Sequence, residues 1–94
     1  MAEDESQRYE VSFRGRVQGV GFRYTARELA QDFPVTGYVQ NLPDGSVFLV
    51  VEGPREEVSR FLDRLEKRMS EYIRSKQTNS YSASGEFVDF GIHH

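Results

Sequence analysis

The sequence predicts an α+β sandwich, with two helices lying on one face of an antiparallel sheet. Three observations carry that reading. Strand-like and helix-like hydrophobic periods follow one another in the order βαββαβ. Each helix-like stretch shows a single apolar face. The run Val47-Phe48-Leu49-Val50-Val51 is almost continuously apolar and β-branched, as befits a central strand covered on both sides. This element order is that of the ferredoxin-like sandwich, and a chain of 94 residues holds one such domain with one modest core.

The first strand rests on Tyr9, Val11 and Phe13 alternating with Glu10, Ser12 and Arg14. A glycine-containing loop ends it. From Phe22 the apolar positions Phe22, Ala26, Leu29, Ala30 and Phe33 share one helical face, and Pro34 stops the helix. Residues 35–41 read as a second strand, joined to the third by the turn Leu42-Pro43-Asp44-Gly45. Gly53-Pro54 closes the third strand. A second helix carries Val58, Phe61, Leu62, Leu65 and Met69 at helical spacing, with Pro54 acceptable at its start. Tyr72 to Ser82 reads as a strand with loose ends, Ser82-Ala83-Ser84-Gly85 as a loop, and Phe87 to Ile92 as the last strand.

Composition excludes several kinds of chemistry. The chain has no cysteine, so it has no disulfide, no thiolate metal site and no cysteine nucleophile. A net charge of −3 argues against a general nucleic-acid footprint, and the basic residues of the second helix alternate with acidic ones as on a solvated face. RNA-recognition domains share the strand order, but Val47–Val51 does not match their aromatic strand motif. No apolar run approaches the ~20 residues of a membrane span, and Met1 to Ser6 is acidic rather than signal-like. A cytoplasmic chain that engages neither membrane nor nucleic acid is the expectation. His93 and His94, the only histidines, read as solvated terminal residues without a role.

The loop Gly15-Arg16-Val17-Gln18-Gly19-Val20-Gly21-Phe22-Arg23 is the strongest functional signal. Its glycines let the backbone aim successive N–H groups into one concavity, and a helix starting near Phe22 adds its unpaired amides and positive dipole end. Arg23 supplies a permanently charged planar fork that matches phosphate oxygens. Glycine spacing alone favours a plain strand-to-helix turn, and the added arginine makes the two readings even. The spacing is neither of the familiar nucleotide loops: the Walker type needs Gly-Lys-Ser/Thr, and no lysine precedes Lys67; the dinucleotide type needs G-x-G-x-x-G, whereas these glycines fall at 15, 19 and 21.

Asn41, at the end of the second strand, either satisfies the following turn or holds a water. An amide is a poor base. Together Arg23 and Asn41 suit a substrate that needs little proton transfer, such as an acyl phosphate, whose carboxylate leaving group has a pKa near ~4.

At these residues the chain resembles the acylphosphatase family. Residues 15–23 look like its signature G-x-V-Q-G-V-x-F-R, and Gly37, Tyr38, Asn41, Gly45, Val47 and Gly53 look like its second signature, G-aromatic-x-x-N-x-x-x-G-x-V followed after five residues by glycine. The resemblance implies a ferredoxin-like domain over residues 8–92; the acidic composition before it reads as a disordered tail over residues 1–7. The resemblance also implies hydrolysis of small acyl phosphates without metal or cofactor, by a chain expected to act as a monomer. Arg23 would bind the phosphate, Asn41 would orient the nucleophilic water, and Gly15, Arg16, Val17, Gln18, Gly19, Val20, Gly21 and Phe22 would form the cradle. Ser46 stands where the family often has a hydroxyl, which would support the turn after Asn41. Gln31 to Val35 departs from the family's usual small glycine-containing turn, and Tyr72 to Ser84 carries no family signature.

Overall fold

In the computed structural model, which describes residues 6–94, seven elements follow one another: β1 (Ser6–Gly15), α1 (Phe22–Ala30), β2 (Thr36–Asn41), β3 (Val47–Pro54), α2 (Arg55–Arg68), β4 (Ile73–Ser82) and β5 (Phe90–His93). Residues 1–5 of the expected tail lie outside the described residues, whereas Ser6 and Gln7 already belong to β1, opposite Pro54 and Gly53. The sheet order is β4-β1-β3-β2-β5. β1 runs antiparallel to both β3 and β4, and β2 antiparallel to β3, as the ferredoxin-like reading requires. The last strand departs from the all-antiparallel expectation: β5 pairs parallel to β2, Gly37 to Gln40 against Phe90 to His93, and makes the sheet mixed.

Both helices turn their apolar faces onto one side of the sheet. Val11 and Phe13 from β1, Val39 from β2, and Val47, Leu49 and Val51 from β3 meet Phe22, Ala26 and Leu29 from α1 and Val58, Phe61 and Leu65 from α2. Phe13 and Phe22 tilt together with centroids 5.0 Å apart, and Phe61 takes Phe33 and Phe90 edge-on at 6.0 and 5.5 Å. α1 ends at Ala30, a turn earlier than Pro34 would impose; Phe33 reaches the core from the following turn.

β4 pairs with β1 along its length, with one register shift at Arg14 and Gly15, although its sequence signal is weak. Its register sets Ser80, Thr78 and Lys76 opposite Tyr9, Val11 and Phe13, so even the positions in line with the core are polar. At this sheet edge α2 supplies polar cover instead, with Lys76 Nζ on Glu66 at 2.7 Å.

The other face of the sheet is partly covered by the segment between β4 and β5. Glu52, only 4% exposed, accepts hydrogen bonds from the Ser84 amide (3.0 Å), the Gly85 amide (3.0 Å) and the Ser84 hydroxyl (2.8 Å), with Arg8 Nη1 at 3.2 Å. Burial pushes its carboxyl up, but those amides, the hydroxyl and Arg8 outweigh burial and hold it below its ordinary value. Farther along, Phe87 lies under the Arg8 guanidinium and edge-on to Tyr38, whose other neighbours are Phe48 and a stacked His93. Val50 is completely buried on this face, in register with Glu10 and Tyr38.

Strand direction places the loops. β1 and β2 are parallel to each other across β3, so both finish at the same end of the sheet; Phe13 and Asn41 stand on either side of Val47. The loop that follows β1 is thereby delivered beside the residue that ends β2. Because β5 also runs parallel to β2, its C-terminal end arrives there too.

Candidate active site

The loop after β1 is shaped by its glycines. Gly15, at φ 133°, closes β1 where the Arg16 amide donates to the Tyr72 carbonyl at 2.9 Å; a Cβ on Gly15 would stand 2.3 Å from that carbonyl oxygen. Gly19 and Gly21 adopt left-handed backbone, φ 79° and 81°, which a residue with a side chain enters only at a cost. Gly21 is the N-cap of α1 and gives it no side-chain cap. The first-turn amides of α1, at Phe22, Arg23 and Tyr24, therefore keep the free donors of a helix start.

These features open onto a cavity of about 190 Å³ that Val17, Gly19, Gly21, Phe22, Arg23 and Asn41 line together. The structure thus brings two segments some eighteen positions apart in sequence to one site. Val17 and Phe22 reach it from the core and are buried. Gly15, Arg16, Gln18 and Val20 do not line it. The Arg16 amide is engaged with Tyr72, and Val20 packs against the core.

Gln18 has a different place: its Nε2 donates to the carbonyls of Leu42 (2.8 Å) and Ser46 (2.9 Å), which ties the loop to the turn after Asn41. The turn is braced from within, because Asp44 Oδ1 accepts from the Ser46 amide (2.9 Å) and hydroxyl (2.6 Å), while Arg14 reaches Oδ2 at 3.2 Å. The Ser46 hydroxyl, then its amide, with Arg14 adding to them, hold the Asp44 carboxyl below its ordinary value. Ser46 supports the turn through Asp44.

Two polar groups at the site stand out. Oδ1 of Asn41 is buried and accepts no hydrogen bond from the described residues. Buried polar atoms are nearly always satisfied, so an orphaned acceptor marks a place for a water or a ligand donor. Arg23 is the second. Among the described residues no carboxylate pairs with it, unlike Arg8 and Arg14.

Three lining residues escaped the sequence reading: Tyr24, Ile92 and His94. His94, expected to be solvated and idle, places its Nδ1 3.4 Å from Arg23 Nη1, and its carbonyl takes Gln40 Nε2 at 3.5 Å. The cause is the parallel pairing of β5 with β2, which no local pattern announces. Tyr24 adjoins Arg23 in α1 and carries a half-exposed ring over which Arg27 lies.

The fold and the site together define a ferredoxin-like sandwich with a glycine- and arginine-lined cavity at the C-terminal ends of β1 and β2. The model of the Acylphosphatase family matches residues 9–92, and the chain belongs to that family. Its sequence is 36% identical over 80 residues to the acylphosphatase of Lactobacillus gasseri, covering 83% of this chain and 88% of that protein. It is 48% identical over 60 residues to the acylphosphatase of Syntrophotalea carbinolica, covering 64% of this chain and 65% of that one; the chain spans less than two thirds of the length of the first relatives it matches. The crystal structure of acylphosphatase from Bacillus subtilis superposes with a TM-score of 0.85 at 26% identity, covering 94% of this chain and 99% of the other.

Proposed function

We propose that this chain hydrolyses the carboxyl–phosphate bond of small acyl phosphates, with Arg23 and the loop amides gripping the phosphoryl group and Asn41 orienting the attacking water. The observation that carries the reading is the convergence, in one cavity, of a glycine-shaped helix start, an arginine that no carboxylate of the described residues pairs, and the orphaned Oδ1 of Asn41. Membership of the family supports it.

The chemistry asks no more than these groups supply. Water oxygen attacks phosphorus, the bond from phosphorus to the acyl oxygen breaks, and its electron pair leaves on the carboxylate. A carboxylate departs without a proton from a general acid. In a loose transition state the nucleophile has formed little bond, so holding the water in line matters more than deprotonating it, and its proton passes to the phosphate product or to solvent. Amides at Gly19, Gly21 and the start of α1, with Arg23, meet the charge that redistributes over the equatorial oxygens. Neither metal nor cofactor has a step in this scheme, and a cytoplasmic monomer suffices for it.

The deciding assay is release of inorganic phosphate from acetyl or benzoyl phosphate in the presence of EDTA. Turnover is expected, with solvent ¹⁸O entering the phosphate and none entering the carboxylate. No turnover by folded protein, or label in the carboxylate, would overturn the proposal.

A further inference from the structure

The contact between His94 and Arg23 has a chemical direction. A guanidinium only donates hydrogen bonds, so the 3.4 Å contact between Nη1 of Arg23 and Nδ1 of His94 is a hydrogen bond in the tautomer that leaves Nδ1 without a proton. The ring is brought there by two constraints. Gln40 pairs with His93 across the parallel ladder and donates through its side chain to the His94 carbonyl at 3.5 Å. Strand alternation then sends His93 to the far face, where it stacks on Tyr38 at 4.0 Å, and Ile92 and His94 to the cavity.

We propose that His94 is a positioning residue for Arg23: its neutral imidazole holds the guanidinium across the cavity before any anion arrives, and leaves the remaining donors of the fork for phosphoryl oxygens. An arginine has much rotamer freedom to lose on binding, and a partner that orders it in advance lowers that cost. No carboxylate among the described residues does this for Arg23, and a carboxylate there would compete with the substrate for charge. A neutral acceptor orders the side chain without neutralising it. His94 touches Arg23 and Gln40 and shares the cavity lining with Gly19, Gly21, Tyr24 and Asn41; of these side chains only Arg23 carries a permanent charge. Protonation of the ring removes the acceptor and sets two cations together, so the contact belongs to the neutral form.

The role rests on the proposed hydrolysis, but its test does not. Inorganic phosphate is titrated into the wild type, His94→Ala, His94→Asn and His94→Leu, and the order of the Arg23 Nε–H is followed by ¹⁵N relaxation. His94→Ala and His94→Leu should weaken phosphate binding roughly three- to tenfold, the worth of one modest hydrogen bond, and loosen Arg23. His94→Asn, whose Oδ1 sits where Nδ1 sits, should restore most of both. His93→Phe, which keeps the stack on Tyr38, should change neither. Unchanged Arg23 order and phosphate affinity in His94→Ala, or equal behaviour of the Asn and Leu variants, would overturn the proposal. Absence of hydrolysis by the wild type would overturn the proposed function, while the phosphate and relaxation readouts would still decide on His94.

Discussion

The two ends of the sheet carry sites built from the same parts, and they differ in whether the chain fills them itself. At one end a turn containing glycine gives two amides and a hydroxyl to a carboxylate, with an arginine beside it: Ser84, Gly85 and Arg8 around Glu52. At the other end a glycine-shaped helix start and Arg23 surround a cavity in which no carboxylate of the described residues sits. The first site is closed by the chain and pins the segment that leads to β5. The second keeps its donors, and it keeps an acceptor too, in the orphaned Oδ1 of Asn41. Preorganised polar groups stabilise a fold when satisfied internally and bind when left open. Substitutions at the closed end should therefore be read in stability, and those at the open end in turnover.

The largest break in that contrast is Arg23→Ala. It should cost kcat/KM roughly a thousandfold or more, about 4 kcal/mol at 1.36 kcal/mol per decade, with an unchanged thermal midpoint. Steady-state kinetics beside a melting curve checks both halves; an equal loss in stability would remove the distinction between the two ends.

Asn41→Ala comes next. Turnover should fall roughly a hundredfold, the usual size for one positioned polar group, while inorganic phosphate binds nearly as before. Calorimetric phosphate titration of the variant, set against its kcat, separates a water-orienting residue from a phosphate ligand. Parallel loss of both would assign Asn41 to phosphate binding.

The closed end should answer in the other currency. Glu52→Gln replaces one of two acceptor oxygens with an N–H that faces an amide donor, and should cost about 1–3 kcal/mol of stability by chemical denaturation with little change in kcat. Its pH dependence follows from the lowered carboxyl. The native state favours the ionised form, so the stabilisation is full above the ordinary carboxylate range and is lost as pH falls through the lowered folded value. The wild type should accordingly lose stability on acidification below about pH 4.3, and Glu52→Gln should show a shallower loss.

Much of the open end was legible from local sequence. Gly15, Gly19 and Gly21 announce a loop that needs unusual backbone, and Arg23 follows one residue into a helix whose apolar period is plain. Asn41 was legible as the last residue of a strand before turn chemistry. The split within the loop was not: nothing local separates Gly19 and Gly21, which line the cavity, from Gln18, which ties the loop to the Leu42–Ser46 turn. The closed end was invisible. Glu52 sits at the polar end of an apolar run, and its partners lie thirty-two and thirty-three residues away in a segment that reads as plain loop.

By itself, then, the sequence determined the element order, the helix faces, the glycine loop and the identity of Arg23 and Asn41, because each depends on residues within one or two turns of chain. Tertiary structure decided that these groups meet, that β5 joins in parallel, that His94 reaches Arg23 and that Glu52 is enclosed by Ser84 and Gly85. Those outcomes depend on strand direction and register between distant segments. Strand direction sends the ends of β1, β2 and β5 to one side, and a period of two along a strand cannot say which neighbour it will face.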